Sequence, residues 1–104
     1  MYKVLLGVGV LIASALVVAN DAERPFLEEN AAAMSKMMAA MAVTPSGDVD
    51  RDFVATMVPH HQGAIEMAQA ELRYGHNEQL RRLAQEIIVA QTQEIAVMRQ
   101  AIGK

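Results

Sequence analysis

Apolar positions recur every three or four residues along most of this chain, which is the spacing of amphipathic helices. The first such segment runs from about Pro25 to Ala42, and proline is well suited to the first turn of a helix. The turn-forming residues 44–47 follow it and predict its end. The apolar face of this predicted helix consists of Leu27, Ala31, Met34, Met37 or Met38, and Met41.

The second predicted helix begins within residues 48–53, where Asp50 is the best candidate for the N-cap, and it runs to Tyr74. Gly75 is placed to end it as a left-handed C-cap. Pro59 lies inside it, and because proline lacks a backbone N–H, we expect a kink or a split at this point. Two neighbouring rows are predicted to face inward: Phe53, Met57, His60, Ala64 and Met67, and Val54, Val58, His61, Ile65, Ala68 and Leu72.

The third predicted helix starts after Asn77 as its N-cap and continues to about Ala101. Its apolar stripe contains two polar residues at positions where a plain bundle would have leucine. The sequence shows no strand-like alternation of apolar and polar residues. It therefore predicts an all-α fold, a small antiparallel helical bundle of three to four helices. The stripe consists of Leu80, Leu83, Ile87, Gln91, Glu94 and Met98.

The first 19 residues differ from the rest of the chain. A positively charged start at residues 1–3 precedes a run without an ionisable side chain, residues 4–19, and small residues come directly before Asn20. This order is that of a secretory signal peptide, so we predict cleavage after Ala19, export to the periplasm or beyond the cell, and a mature helical domain at residues 20–104. The alternative is a retained membrane anchor, although this apolar run is shorter than the roughly 20 residues that span a bilayer.

Composition narrows the function of the mature chain. Cleavage would remove one lysine and no acidic residue, which leaves 8 basic and 12 acidic side chains and a net charge of −4. This mild acidity gives no reason to expect nucleic acid or an anionic membrane as a partner. The absence of cysteine excludes disulfides and thiolate metal sites, whereas seven of the eight methionines would remain.

Histidine, methionine and two polar residues meet on the predicted inner faces. His60 and His61 lie between methionines on the second helix, and Gln91 and Glu94 lie on the stripe of the third helix. Any one of them alone is more typical of an ordinary core, but together they favour a metal site whose polar groups serve one another. Thioether and neutral imidazole favour Cu(I), with Ag(I) as its chemical mimic. The chain has no Glu-x-x-His or His-Glu-x-x-His sequence, which argues against di-iron and zinc-peptidase chemistry.

Two stretches of the chain resemble a known family. They are GDVDRDFVATMVPHHQGAIEMA and QTQEIAVM, and they are similar to domain-of-unknown-function family 305, ferritin-like small helical proteins that include CopM-type copper-binding proteins. The resemblance extends over about residues 26–101. It implies an exported four-helix-type bundle that binds copper, in some members silver, and protects the cell against excess metal. The ligands that it implies by position are Met57, His60, His61 and Met67, with Met34, Met37, Met38, Met41 and Met98 as further thioethers.

Three functions from different classes fit these observations. The leading hypothesis is a non-catalytic copper buffer or chaperone, in which histidine and methionine bind the metal while Gln91 and Glu94 orient the imidazoles. The second is a copper-dependent redox enzyme. The third is a metal-free interaction bundle whose methionine face grips partner helices. A partner that receives copper and assembly into a homo-oligomer are both compatible with the first hypothesis.

Overall fold

The chain folds into three α-helices in a computed structural model that describes residues 2, 3, 7–10, 12 and 20–103. No strand occurs among these described residues. The middle helix packs against both others, whereas no Cα atom of the first helix lies within 8 Å of the third in this part of the chain. The protein is therefore a small all-α helical bundle, as the sequence predicted. The helices are α1 (Arg24–Met41), α2 (Val49–Tyr74) and α3 (Glu78–Ala101).

The bounds of the helices agree with the sequence pattern to within one or two residues. The predicted signal peptide, residues 1–19, lies mainly outside the described residues, and so does its predicted cleavage site after Ala19. Within the described part of the chain, no helix combines the length and the apolar character that crossing a membrane requires.

Polar side chains cap the starts of α2 and α3. Asp48 Oδ1 accepts hydrogen bonds from the backbone N–H groups of Asp50 and Arg51 at 2.9 and 3.2 Å. The prediction of Asp50 as the N-cap is therefore wrong, because Asp50 already lies in the first turn, where its charge meets the positive end of the helix dipole. The prediction of Asn77 is confirmed, since its Oδ1 accepts from the N–H of Leu80 at 3.0 Å.

α2 ends at Gly75 without the left-handed conformation that the sequence predicted. Gly75 has a φ of −77° and an extended backbone, and its N–H donates to the carbonyl of Glu71 at 2.7 Å. Arg81 on α3 meets the carbonyl groups at this helix end, because its Nη1 donates to the carbonyl oxygens of Leu72 and Gly75 at 2.6 and 3.1 Å. A cation from the next helix thus satisfies these carbonyls and links α2 to α3, so no left-handed residue is needed.

α2 continues through Pro59 as one helix of 26 residues, so a split at this position is a wrong prediction. A proline inside a helix costs about 3 kcal/mol. Residues on both sides of it remain packed, however, since Val54 and Ala68 are both buried. A fully buried valine side chain contributes about 1.5–3 kcal/mol, and α2 also packs against both other helices, so the helix persists through the proline. Pro59 therefore does not divide α2 into two helices, and it does not provide a fourth helix for the bundle.

The helices meet through small side chains. None of the large side chains in the described part of the chain is fully buried. Small residues allow helices to approach closely, but each removes little apolar area from water, at about 25 cal/mol per Å². The isolated chain therefore has a thin core, meaning that it buries little apolar surface. Its buried hydrophobic residues are Ala33, Val54, Ala68, Ala70, Ala84 and Ile95.

Two ion pairs join α1 to α2 in antiparallel register. Arg73 Nη2 lies 2.7 Å from Glu29 Oε2, and the Tyr74 hydroxyl donates to the same carboxylate at 2.9 Å. Later in α1 and earlier in α2, Lys36 Nζ lies 2.8 Å from Glu66 Oε1, so the two helices run in opposite directions. The hydrogen bond from Arg73, with that from Tyr74, holds the pKa of Glu29 below its ordinary value of 4.5.

Acid should weaken the attachment of α1 through Glu29. The pKa of Glu29 is lower in the folded than in the unfolded chain, so its stabilising contribution is complete above 4.5 and is lost as pH falls through the lower, folded value. We expect Glu29→Gln to be less stable than the parent at neutral pH and to lose less of its free energy of unfolding on acidification. Urea unfolding followed by circular dichroism measures this, with the exposed neighbour Glu28→Gln as the control. Equal acid dependence of parent and Glu29→Gln would contradict it.

Candidate metal centre

One histidine of the predicted site lies at the interface between α2 and α3. The side chain of His61 is only 15% exposed, and its Nε2 lies 2.5 Å from Oε2 of Glu94. Glu94 belongs to the predicted stripe of α3, but it is 56% exposed, so it reaches the imidazole from the edge of the interface and not from the core. The contact between a half-buried ring and an accessible carboxylate joins the two helices.

The other ring nitrogen of His61 is buried and has no hydrogen-bond partner among the described residues. A neutral imidazole carries one N–H and one lone pair. When Nε2 donates its proton to the Glu94 carboxylate, Nδ1 holds a buried lone pair that nothing in the described chain engages. Such an unpaired atom costs about 1–3 kcal/mol. A metal ion at Nδ1 would remove that cost, and a carboxylate behind the ring is the usual support for a ligating histidine.

Gln91 contributes a second buried acceptor to the same helix interface. Its Oε1 also has no hydrogen-bond partner among the described residues. Among the described residues, no imidazole therefore donates a hydrogen bond to Gln91 Oε1, as its expected orienting role would require. Only the amide N–H groups of Gln91 can donate to the Nδ1 lone pair of His61, because Oε1 is itself an acceptor. Two unengaged acceptors in one interface favour a bound cation.

Thioether sulfur lies in the region of His61. Met98 lines a groove there together with Phe53, His61 and Glu94. Met57 is half-buried and lies four residues before His61 on α2, a spacing at which side chains on one helix are neighbours. Of the predicted ligands, the fold thus brings His61, Met57 and Met98 to one region.

His60 is exposed, so the prediction that both histidines face inward is wrong for this residue. Consecutive residues on a helix point about 100° apart. Because α2 turns the side that carries His61 toward α3, His60 is left at the edge, and its ring centroid lies 5.9 Å from that of His61. The same row includes Phe53, which is 55% exposed, so the inward direction predicted for this row is wrong at both positions.

Two other predicted ligands lie apart from His61. Met37 packs against Gly63 on the side of α2 that meets α1. Met67 lines a different groove between α2 and α3, more than one turn beyond His61. The fold therefore does not gather all the predicted ligands at one point. The reason is geometric: α1 and α3 pack against different sides of α2, so their inner faces do not meet.

Most of the methionines border one surface of the bundle. Met34 and Met38 are exposed, and each is two residues from Lys36, which places them on the flank of α1 opposite the Lys36–Glu66 ion pair. The row of α2 that contains Met57 and Met67 faces the same way, as do several apolar residues of α3. We call this surface the open face. It comprises Met34, Met38 and the half-buried Met41 of α1, Phe53, Met57, His60 and Met67 of α2, and Leu80, Leu83, Ile87, Ala90, Val97 and Met98 of α3.

The apolar stripes predicted for α1 and α3 are both rotated in the structure. On α1 the buried residue is Ala33, whereas Leu27 and Met34 of the predicted stripe are more than a third exposed. On α3 the buried residues are Ala84 and Ile95, next to the predicted positions. At Ala33 and Ala84 the cause is that small side chains allow close helix contact, so they take the centre of each interface.

Thioether sulfur is a further donor in the region around His61. Among the described residues, no three His, Cys, Asp or Glu side chains are grouped so that they could hold a metal ion. A metal at His61 would therefore take a donor of another kind, and the neighbouring side chains supply thioether sulfur. Thioether and imidazole suit Cu(I) and not Mg²⁺ or Ca²⁺.

Two apolar residues beside His61 escaped the sequence prediction. Ala90 and Val97 line the same groove as His61, Glu94 and Met98. A signal for them exists, because Ala90 and Val97 follow Leu83 of the predicted stripe at intervals of seven residues. The apolar surface of α3 is therefore wider than one stripe.

A family model described as "Domain of unknown function (DUF305)" matches residues 17–102. The matched range includes all three helices and every side chain of the region around His61. Among curated proteins, none matches the chain. The description of the family names no activity, so the function has to be argued from the residues themselves.

Proposed function

The chain belongs to the DUF305 family, and on the residues around His61 we propose that this member is an exported copper-binding protein. In this proposal it holds Cu(I), or Ag(I) as a chemical mimic, and acts as a metal buffer or chaperone in copper tolerance, like the CopM-type proteins that it resembles. The observation that carries the proposal is the buried Nδ1 of His61, which has no partner among residues 20–103, in a ring whose other nitrogen contacts Glu94.

In the proposed site His61 supplies the nitrogen ligand. Only the neutral imidazole has a lone pair to offer, and the carboxylate of Glu94 selects the tautomer in which that lone pair is on Nδ1. The same hydrogen bond restrains the ring and increases the basicity of the ligating nitrogen. Glu94 also places one negative charge near the metal, which compensates the single positive charge of Cu(I) in a half-buried interface.

Met57 and Met98 supply the soft ligands in this proposal. Met98 lines the groove that contains His61, and Met57 is one helical turn before His61. Thioethers are neutral and carry no proton at any ordinary pH, so no proton competes with the metal for them. In an oxidising compartment they also avoid the disulfide formation to which a thiol is prone. A chain without cysteine therefore suits a soft-metal function outside the cytoplasm.

The open face supports a buffer or chaperone role over permanent storage. Met38 is 63% exposed, and Met34 is also exposed on the same surface. While the open face is free, these accessible thioethers can accept the metal from another molecule or pass it on through ligand exchange, without unfolding of the bundle. A metal ion that is cargo requires such a path, whereas a permanent structural ion does not.

A metal-free interaction module is the second candidate function. The observation that favours it is the open face itself, since flexible methionine side chains adapt to the shapes of partner helices. The two candidates differ in one measurement. Addition of Cu(I) or Ag(I) under reducing conditions should raise the thermal stability of a copper-binding protein, whereas that of a metal-free module should not change.

The thioether ligands can be tested by replacement with leucine, which resembles methionine in volume but lacks sulfur. Such a change in a core normally costs less than about 1.5 kcal/mol of stability. We expect Met57→Leu and Met98→Leu to fold normally and to hold Cu(I) more weakly, in competition with a Cu(I) chelator. Met37→Leu is the matched control, because Met37 packs against Gly63 and away from His61.

The outcomes of this experiment test the copper function and the assignment of the two thioether ligands separately. If the parent protein takes no Cu(I) from the chelator, the copper function is wrong and the interaction module remains. If the parent binds Cu(I) but Met57→Leu and Met98→Leu bind it equally tightly, the assignment of these two thioethers is wrong. Loss of binding in Met37→Leu would indicate that the metal lies between α1 and α2.

A further inference from the structure

The open face exposes large apolar side chains on all three helices. Leu80 of α3 is 51% exposed and Leu83 is 48% exposed beside Met67 of α2, and Phe53, 55% exposed, lies on the same face at the other end of α2. Single exposed apolar residues are ordinary, but a contiguous apolar patch marks an interaction site. We propose that a second copy of this chain docks on the open face, so that two copies form a homodimer with a shared apolar interior.

The spacing of apolar residues along α3 indicates that a helical surface covers the open face. Leu80, Leu83, Ile87, Ala90 and Val97 lie on the exposed flank of α3, and with Glu94 they follow each other at intervals of three and four residues. Helices pack against other helices through this spacing. The cover is therefore helical, and a second copy presents the same seam, as a two-fold symmetric interface requires.

The thin core of the single chain favours a second copy over a foreign partner. The buried hydrophobic residues of the described part include four alanines and no fully buried large side chain. Chains of this size with so little buried area usually need a metal, a disulfide or oligomerisation, and this chain has no cysteine. The chain needs to bury more apolar surface than one copy does, in whichever place it folds. Another copy of the chain is the one partner that is present in every such place.

The size of the open face is sufficient for a stable dimer. The three helices contain 18, 26 and 24 residues. With a rise of about 1.5 Å per residue and a spacing of about 8–10 Å between neighbouring helices, they present a face of roughly 20 by 30 Å. That is on the order of 600 Å² in projection, and the relief of the side chains increases the accessible area toward the roughly 800 Å² per partner of a standard interface.

The charges of the chain permit two copies to meet on this face. The chain has a net charge of −3, but none of the residues that define the open face is Lys, Arg, Asp or Glu. Two carboxylate residues line the grooves of this face: Glu94 is engaged by His61, and Glu71 lies near the end of α2 beside Leu80 and Leu83, away from the centre of the face. Docking therefore brings no unpaired like charges together at the centre of the interface.

The mass of the metal-free protein tests the proposal, and this makes the test independent of copper. The full chain is expressed and purified in the form that the host produces. It is then treated with a metal chelator and examined by sedimentation equilibrium. We expect the mass of two chains for the parent and of one chain for Leu83→Glu. Val89→Glu is the matched control and should retain the mass of two chains, because Val89 is 58% exposed on α3 but lies outside the seam. A parent that sediments as one chain overturns the proposal.

Thiol labelling provides a second measurement in case the charged variant does not fold. The chain contains no cysteine, so a single introduced thiol reports on its own position. We expect Leu80→Cys to react with a maleimide more slowly as protein concentration rises, and Val89→Cys to react at a constant rate. Equal, concentration-independent rates at the two positions overturn the proposal. So does slow labelling of Leu80→Cys in a single-chain species at every dilution, because another segment of the same chain would then cover the face.

Discussion

Replacement of His61 with leucine is expected to lower the affinity for Cu(I) by more than any other single change in this chain. The buried Nδ1 is the only nitrogen ligand in the proposed site, and leucine cannot replace its lone pair. Loss of a residue that merely supports a metal ligand typically costs about 10–100-fold in affinity. Loss of the ligand itself should exceed this range, and Glu94→Gln, which removes only the supporting charge, should fall within it.

The stability of the metal-free protein should not decrease in His61→Leu. The substitution removes a buried polar atom that has no partner in the described chain, and Glu94 is exposed enough to be hydrated by itself. The matched control is His60→Leu, because His60 is the adjacent imidazole but is exposed. Chelator competition and thermal unfolding are measured on both variants. If His61→Leu binds Cu(I) as tightly as the parent while His60→Leu loses it, the exposed ring is the ligand and the buried one is structural.

Introduction of a side chain at Gly63 is expected to destabilise the fold more than any other substitution on the α1 side of α2. A Cβ atom at this position would lie 2.7 Å from Sδ of Met37 and 3.1 Å from its Cβ. The sulfur can move aside, but the Cβ is attached to the backbone of α1, so α1 itself must shift. Overpacking of this kind typically costs about 1–3 kcal/mol, which exceeds the gain of about 1 kcal/mol from replacing glycine in a helix.

Gly63→Leu is the variant to measure, by urea unfolding followed by circular dichroism. Ala55→Leu, at an exposed position of the same helix, is the control for introducing leucine without a clash. Truncation of the opposing side chain in the double variant Gly63→Leu/Met37→Ala should restore part of the lost stability, because it frees the space that leucine needs. Gly63→Leu with the stability of the parent would show that α1 does not rest against Gly63 in solution.

The α-helical class and the helix bounds were predictable because their causes are local. The N-cap at Asn77 depends on a side chain and a backbone N–H three residues apart, and both are visible in the sequence. The N-cap of α2 was misassigned because three aspartates within residues 48–52 can each cap a helix, and only the backbone conformation at Asp48 distinguishes them. The C-terminal end of α2 was misjudged for a different reason, since Arg81 of the next helix satisfies its carbonyls.

The pairing of a buried imidazole with a carboxylate was also within reach of the sequence. Polar residues on the stripe of α3 require polar partners, and His61 on α2 was one of the few available. Which of the two adjacent histidines would be inside was not predictable from the pattern. Their rows differ by about 100° of rotation, and both rows contain apolar residues.

The sequence by itself determined three amphipathic helices, the absence of thiol chemistry and a supply of imidazole and thioether donors. The tertiary structure decided which donors come together. Because the small side chains of Ala33, Gly63 and Ala84 allow the closest helix contacts, they take the centres of the interfaces and rotate the methionines outward. α1 and α3 then pack on different sides of α2, and the open face between them carries most of the sulfur. Local periodicity cannot reveal this, since the rotation of each helix depends on side chains of its neighbours.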